Sequence, residues 1–195
     1  MAAQTGLITP EDEETYILVD KPLTTWALPT PPNTPDTLLI EPFESLSLTS
    51  GESLHILLVD DNPLNNLYLQ RQIKRHPPPD AYETMFITCV TSGEAALSHL
   101  AQHHVDLVLM DIDMPKLTGL DTASLIRSGK TSTQPDAFSI PSTNVAVPII
   151  AVTTHDGHEW NDKIHKAGMD GLVVKPVIKM AEVWEVYRDA RAARA

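Results

Sequence analysis

Four short apolar runs in this chain each stop at a side chain capable of chemistry. His55-Ile-Leu-Leu-Val runs into Asp60 and Asp61, and Asp106-Leu-Val-Leu-Met into Asp111. Val147-Pro-Ile-Ile-Ala-Val runs into Thr153, and Gly171-Leu-Val-Val into Lys175 and Pro176. Continuous apolar runs of this length read as strands buried on both faces, as in parallel sheets. The carboxyl ends of parallel strands in an open α/β sheet share one edge, and ligands bind there. Three carboxylates, a hydroxyl and an ammonium are therefore expected at one place. Such a set suits a divalent cation together with a phosphoryl group.

The stretches between the runs read as helices. Asn62-Pro63 can cap and open the first, with Leu64, Leu67, Tyr68 and Ile73 as its apolar face, and Pro77-Pro-Pro79 stops it. Met85–Val90 reads as a strand and Glu94–His103 as a helix with Ala96, Leu97 and Leu100 inward. A third helix covers Leu120–Arg127 and ends near Gly129; a fourth lies near His158–Lys166 and stops at Gly168. The last runs to the C-terminus, with Val177, Met180, Trp184 and Tyr187 at helical spacing. Strands alternating with helices predict crossover units. The expected fold is α/β: a flavodoxin-like, doubly wound, five-stranded parallel sheet of order 2-1-3-4-5 with helices on both faces.

A chain of 195 residues can bury one good core and carry an appendage. Of the net charge of −12, most sits in residues 1–53, which hold nine acids and one base, Lys21. That acidic, Pro/Thr-rich stretch has too little apolar surface to offset the entropy of ordering, so it reads as a disordered tail. Residues 54–195 read as the folded domain, with a polar loop insertion at 130–146 punctuated by Pro135 and Pro141. Within the tail, Tyr16-Ile-Leu-Val could pair with a sheet edge and Leu38-Leu-Ile-Glu-Pro-Phe43 could dock in a groove; the reading favoured is of short apolar spots in a tail. Thr9-Pro10, Thr30-Pro31 and Thr34-Pro35 have the form of proline-directed phosphorylation sites.

No basic face dominates, so nucleic acid is not an expected partner. The single cysteine, Cys89, excludes an internal disulfide framework and fits a reducing compartment. The start lacks a signal-peptide pattern and no apolar run reaches membrane-spanning length. The expectation is a soluble protein of the cytoplasm, with the nucleus as a further compartment, and no membrane partner.

Asp60, Asp61 and Asp111 brought together would repel, and without a cation at least one would titrate high. Mg²⁺ takes hard oxygen ligands and binds one or two carboxylates plus a phosphate. A carboxylate oxygen can attack phosphorus and form an aspartyl phosphate, with a metal and a lysine neutralising the equatorial oxygens and a hydroxyl bonding one of them.

These residues resemble the receiver domain of two-component and phosphorelay response regulators, over about residues 54–190. The most specific stretch is Leu109-Met-Asp-Ile-Asp-Met-Pro-Lys-Leu-Thr-Gly119. Leu57-Leu-Val-Asp-Asp-Asn-Pro63, Thr91-Ser-Gly-Glu-Ala95, Pro148-Ile-Ile-Ala-Val-Thr153 and Ala167-Gly-Met-Asp-Gly171 match as well. The resemblance implies Asp111 as phosphoacceptor, Asp60 and Asp61 as the acidic pair around Mg²⁺, and Asp113 as donor of a backbone carbonyl to the metal. It implies Thr153 as the switch hydroxyl and Lys175 as the phosphate-binding cation. The implied partner is a histidine kinase or a histidine phosphotransfer protein that supplies the phosphoryl group. The only catalysis implied is of the domain's own phosphorylation and dephosphorylation. The tail and the insertion are similar to a eukaryotic, fungal-type stand-alone regulator.

Two departures matter. The family usually carries an aromatic residue three positions before the lysine, where this chain has Leu172, and usually Ala or Gly after the switch threonine, where it has Thr154. The resemblance implies Asp113 and His155 as the positions that tune phosphate loss. The loops at Pro77–Glu83 and 130–146 are expected at the end of the sheet away from Asp111. The eight histidines match no zinc spacing. Trp160 and Trp184 read as packing residues. Two other readings compete: a degenerate receiver serving as a docking module, and a haloacid-dehalogenase-type phosphohydrolase. The latter places its acidic metal pair after the lysine, whereas Asp60 and Asp61 precede the nucleophile. A fragment of a hybrid kinase is less expected than a stand-alone regulator, since the chain begins with Met and carries no ATP-binding or DNA-binding module.

Overall fold

The computed structural model describes residues 14–18 by their backbone, and 52–80, 82, 84–132, 139–177 and 179–194. Leu38–Phe43, the Thr-Pro sites and most of 1–53 lie outside these residues. The strands are β1 (Glu14–Leu18), β2 (Ser53–Val59), β3 (Thr84–Val90), β4 (Leu107–Met110), β5 (Ile149–Thr153) and β6 (Gly171–Val174). The helices are α1 (Pro63–Arg75), α2 (Gly93–Gln102), α3 (Gly119–Arg127), α4 (Ser142–Val145), α5 (His158–Lys166) and α6 (Met180–Arg194).

The sheet order is β1-β3-β2-β4-β5-β6. The last five strands are parallel, which is the 2-1-3-4-5 order expected. β1 is an addition: it pairs antiparallel with the outer edge of β3, Glu14 opposite Cys89 and Leu18 opposite Met85. The apolar spot at Tyr16 is therefore edge-paired, against the favoured reading of it as an unpaired spot.

Alternate residues of each central strand enter two cores. Leu57, Val59, Val108 and Met110 pack with Leu97 and Leu100 of α2, Ile126 of α3 and Ile164 of α5. On the opposite face of the sheet, Ile56 joins Leu58, Leu109, Val152, Ile73 of α1 and Trp184 of α6. Each such side chain contributes roughly 1.5–3 kcal/mol by leaving water. These layers hold the carboxyl ends of β2, β4, β5 and β6 in one row.

Two local readings need correction. On α1, Leu64, Leu67 and Tyr68 are exposed, Leu64 at 70%. The inward face is Asn66, Leu69, Gln70 and Ile73. Asn66 turns inward because its amide donates to the carbonyls of Asp60 and Val90, both at 3.1 Å, which rotates the helix away from the purely apolar choice. The stretch 130–146 is also more than a loop. It holds the short helix α4, and Ile140 is buried in the core. Asn144, buried, donates to the carbonyls of Leu100 and His103 and accepts from the Val105 N–H. The insertion is thereby fastened to the end of α2 and the entry to β4, away from Asp111.

Candidate functional site

Backbone pairing sets the site. The Asp60 N–H donates to Val90 O and the Asp111 N–H to Val59 O, so both acids emerge from adjacent strands in register. The chain then turns into α1 through Asn62, whose side chain accepts from the Leu64 N–H, with Pro63 at the first helical position. A cap of this kind is worth about 1 kcal/mol. The turn also aims the Asn62 N–H and the Asn65 amide at Asp60 Oδ1, at 2.9 and 3.0 Å. One oxygen of Asp60 is thus held by the protein while the other faces the site.

That second oxygen, Oδ2, lies 2.7 Å from Lys175 Nζ. The same ammonium lies 2.9 Å from Asp111 Oδ2. Lys175 reaches the acids because its N–H donates to Thr153 O at 2.7 Å, which continues the β5–β6 pairing. Asp60 and Asp111 are buried, and Asp61 is exposed beside them. Oxygens of all three lie within 4.8 Å of one another. Hard oxygen donors this close fit a small divalent cation that keeps part of its water shell, as Mg²⁺ does.

The electrostatics follow from this crowding. Burial pushes the Asp111 carboxyl above the ordinary carboxylate range; Lys175 pulls it back without cancelling the shift, and the charge of Asp60 adds to the rise. Burial alone would lower the Lys175 ammonium, but the hydrogen bonds and charges of Asp60 and Asp111 outweigh it and hold it above the usual lysine value.

The rest of the edge surrounds this centre. Thr153 is fully buried, and its hydroxyl accepts from the His155 N–H at 3.2 Å. Thr154 is exposed and lines the cleft. His155 Nε2 lies 2.8 Å from Asp113 Oδ2, and its ring stacks on Trp160 at 3.9 Å and 12°. Lys163 Nζ sits over the Trp160 ring, 4.1 Å from its centroid. Leu172 is half-buried against the core shared by α2, α3 and α5. The Gly119 N–H donates to Ile112 O, and a Cβ there would overlap the Asp111 carbonyl, so a side chain at 119 would push on the Asp111 backbone.

The six residues singled out from the sequence, Asp60, Asp61, Asp111, Asp113, Thr153 and Lys175, therefore gather at one edge. Asn65, Asn66 and Trp160 are parts of the site that sequence reasoning missed. The signal for the asparagines was their place in the first turns after Asp60-Asp61, where amides can reach back to the strand end. Cleft and site are continuous: Tyr68, Leu69, Pro176 and Val177 form the apolar wall of a cavity of about 530 Å³ that includes Asp60, Asp111 and Lys175.

Sheet order and site together define a flavodoxin-like α/β domain with an acidic cluster at the carboxyl edge of its strands. A family model described as response regulator receiver domain matches residues 56–187, and the chain belongs to that family. It is 35% identical over 131 residues to probable histidine kinase 4 of Oryza sativa subsp. japonica, covering 63% of this chain and 12% of that protein. The chain thus spans about a tenth of the length of the curated relatives it matches. Among solved structures it is similar to the receiver domain of a Pseudomonas aeruginosa sensor histidine kinase with a magnesium ion in its active site cleft, at 25% identity and a TM-score of 0.55, over 72% of this chain and 99% of that one. It is similar also to the Thermotoga maritima response regulator TrrA in complex with Mg²⁺ and BeF, at 25% identity and a TM-score of 0.53, over 70% and 98%. No helix among the described residues is long and apolar enough to cross a membrane.

Proposed function

We propose that this chain is a phosphorelay response regulator that accepts a phosphoryl group on Asp111 from a phosphohistidine donor. The observation that carries the reading is the position of the Lys175 ammonium against both Asp60 and Asp111, with Asp61 in the same cluster. An Asp111 carboxylate oxygen attacks phosphorus, the P–N bond to the donor imidazole breaks, and the imidazole leaves with a proton from solvent or the donor. Lys175 balances charge on the phosphoryl oxygens, and the Thr153 hydroxyl donates to one of them. Mg²⁺ held by Asp60, Asp61, Asp111 and the Asp113 carbonyl would add further positive charge at those oxygens. Output then comes through altered affinity for a partner protein rather than through turnover of a substrate.

The donor's approach has a surface to use. Leu64, Leu67 and Tyr68 are exposed on α1 beside the cleft, and Tyr68 and Pro176 line its wall. An apolar face next to a charged pocket suits a donor protein that presents its phosphohistidine from a helix. Single alanine substitutions at Leu64 and Leu67 are expected to slow transfer from a phosphotransfer protein and leave labelling by a small-molecule donor unchanged.

Incubation with a small-molecule phosphoryl donor and Mg²⁺, read by intact mass, tests the assignment. One base-labile phosphoryl group is expected, absent in Asp111→Asn. Equal labelling of that variant would place the acceptor elsewhere. A wild-type chain that binds Mg²⁺ but takes no phosphoryl group would favour a docking module.

A further inference from the structure

We propose that the groove between the end of α1 and the outer side of α6 is the docking site of the chain's own segment 38–44. The groove has a volume of about 620 Å³ and shares no residue with the phosphoryl cleft. Trp184 forms its floor, only 4% exposed, with its indole N–H donating to His76 O at 2.8 Å. Pro77, Pro79 and Met180 form apolar walls. The rim is basic: Arg75, Lys179 and Arg188 line it, and no acid does.

That rim is unusual for this molecule. The chain carries 26 acids against 14 Lys and Arg residues. Among the described residues Arg75 and Arg188 make no ion pair, although Glu182 and Glu185 stand on the same helix as Arg188. Lys179 has only a long, exposed contact with Glu182 at 3.8 Å. Three cations around an apolar floor match an acidic segment with large apolar side chains.

The chain contains one such segment within reach. Leu38-Leu-Ile-Glu-Pro-Phe-Glu44 offers five apolar side chains with two carboxylates, Glu41 and Glu44. Of the other apolar stretches before residue 53, the one at Tyr16 is taken up by β1, Trp26-Ala-Leu28 carries no acid, and Leu46 and Leu48 stand singly between serines and threonines. Leu18 pairs with Met85 and Ser53 with Thr84, so the chain leaves β1 and enters β2 at the same end of the sheet. The Pro77–Pro79 wall lies just before β3 begins at Thr84, at that same end. From Glu44 to Ser53 the backbone can span about 30 Å when extended, enough to cross the side of a small domain. Tethering keeps the segment at high effective concentration, so weak contacts suffice to hold it.

Carbodiimide coupling of the full chain, followed by peptide mapping, tests this. The reagent joins an amine to a carboxylate only in direct contact. Lys179 is expected to couple to Glu41 or Glu44 within the monomer, at a yield independent of protein concentration. In a Leu39→Ser, Phe43→Ser double variant that yield should fall several-fold. Coupling of Lys179 only to Glu182, or to no carboxylate, overturns the proposal. Coupling confined to dimers assigns the groove to a second copy and overturns it likewise. A yield unchanged in the double variant means charge encounter without docking, with the same consequence.

Discussion

His155 and Trp160 stack with ring centroids 3.9 Å apart, and this pair ties the carboxyl edge of the strands to α5. The His155 imidazole also meets Asp113, and its backbone N–H donates to the Thr153 hydroxyl. A hydroxyl that swings toward a phosphoryl group on Asp111 must move relative to that N–H. The stack should move with it. Addition of Mg²⁺ and beryllofluoride is therefore expected to change tryptophan emission. Trp160→Phe should remove the change and Trp184→Phe should not. An emission change that survives in Trp160→Phe would show that the stack does not respond.

Leu172 fills the position where the family carries an aromatic side chain. It packs half-buried against the core and has no ring or hydroxyl to exchange between two environments. The two states of the domain should then differ little on the face made by α5, β6 and α6, and a ligand shifts an equilibrium only by its differential affinity. Modest amide shifts on that face are expected with beryllofluoride, and larger ones in Leu172→Tyr. A wide rearrangement in the parent chain would mean that leucine serves as well.

Asp111 titrates above the ordinary carboxylate range, chiefly from burial. A carboxyl raised on folding favours the fold fully below its unfolded pKa, and that contribution is lost as pH rises through the folded pKa. Near neutral pH without metal, the ionised group therefore weighs against the fold. Asp111→Asn is expected to raise the melting temperature of the metal-free protein. The gap between variant and parent should narrow as pH falls below neutrality, since the buried parent carboxyl takes up its proton at a higher pH than an ordinary carboxylate. A gap that widens on acidification would contradict the sign.

Lys175 contacts one oxygen each of Asp60 and Asp111, two of the three carboxylates that would hold a cation. Its removal leaves Asp60 and Asp111 without that counter-charge. Lys175→Ala is expected to bind Mg²⁺ several-fold more tightly by calorimetry, while phosphorylation falls about 10²-fold through loss of a charge on the transferring group. Weaker Mg²⁺ binding in this variant would indicate that the lysine orders the acids rather than competing for them.

The central parallel strands were legible because β4 and β5 are buried along their whole length and read as unbroken apolar sequence. Asp60, Asp61, Asp111, Thr153 and Lys175 were legible for the same reason: each sits where such a run stops. The inward face of α1 was not. Its core positions include Asn66, turned in by its hydrogen bonds to the ends of β2 and β3, and Gln70, a polar residue where the hydrophobic period would call for an apolar one. The structured part of 130–146 was hidden in the same way, since Asn144 is buried to satisfy backbone groups at the end of α2 and in the turn that leads to β4, a role with no local pattern. β1 is short and lies far along the chain from its partner β3, so its pairing was one choice among two.

The antiparallel β1 also limits how copies of this chain could associate. A five-stranded parallel sheet has two edges with unpaired backbone groups, and each is a template for a strand from another molecule. Here β1 covers the β3 edge, and among the described residues no strand lies beyond β6, where Val174 is 40% exposed. β1 replaces the β3 edge with its own, so the sheet still ends in two unlike edges, a five-residue antiparallel strand and the parallel β6. Short edge strands are poorer templates than long ones, and deleting residues 14–18 would bare the seven-residue β3 instead. Light scattering at rising concentration should then show more self-association for the deletion than for the full chain; equal association of the two would show that β1 does not protect the β3 edge.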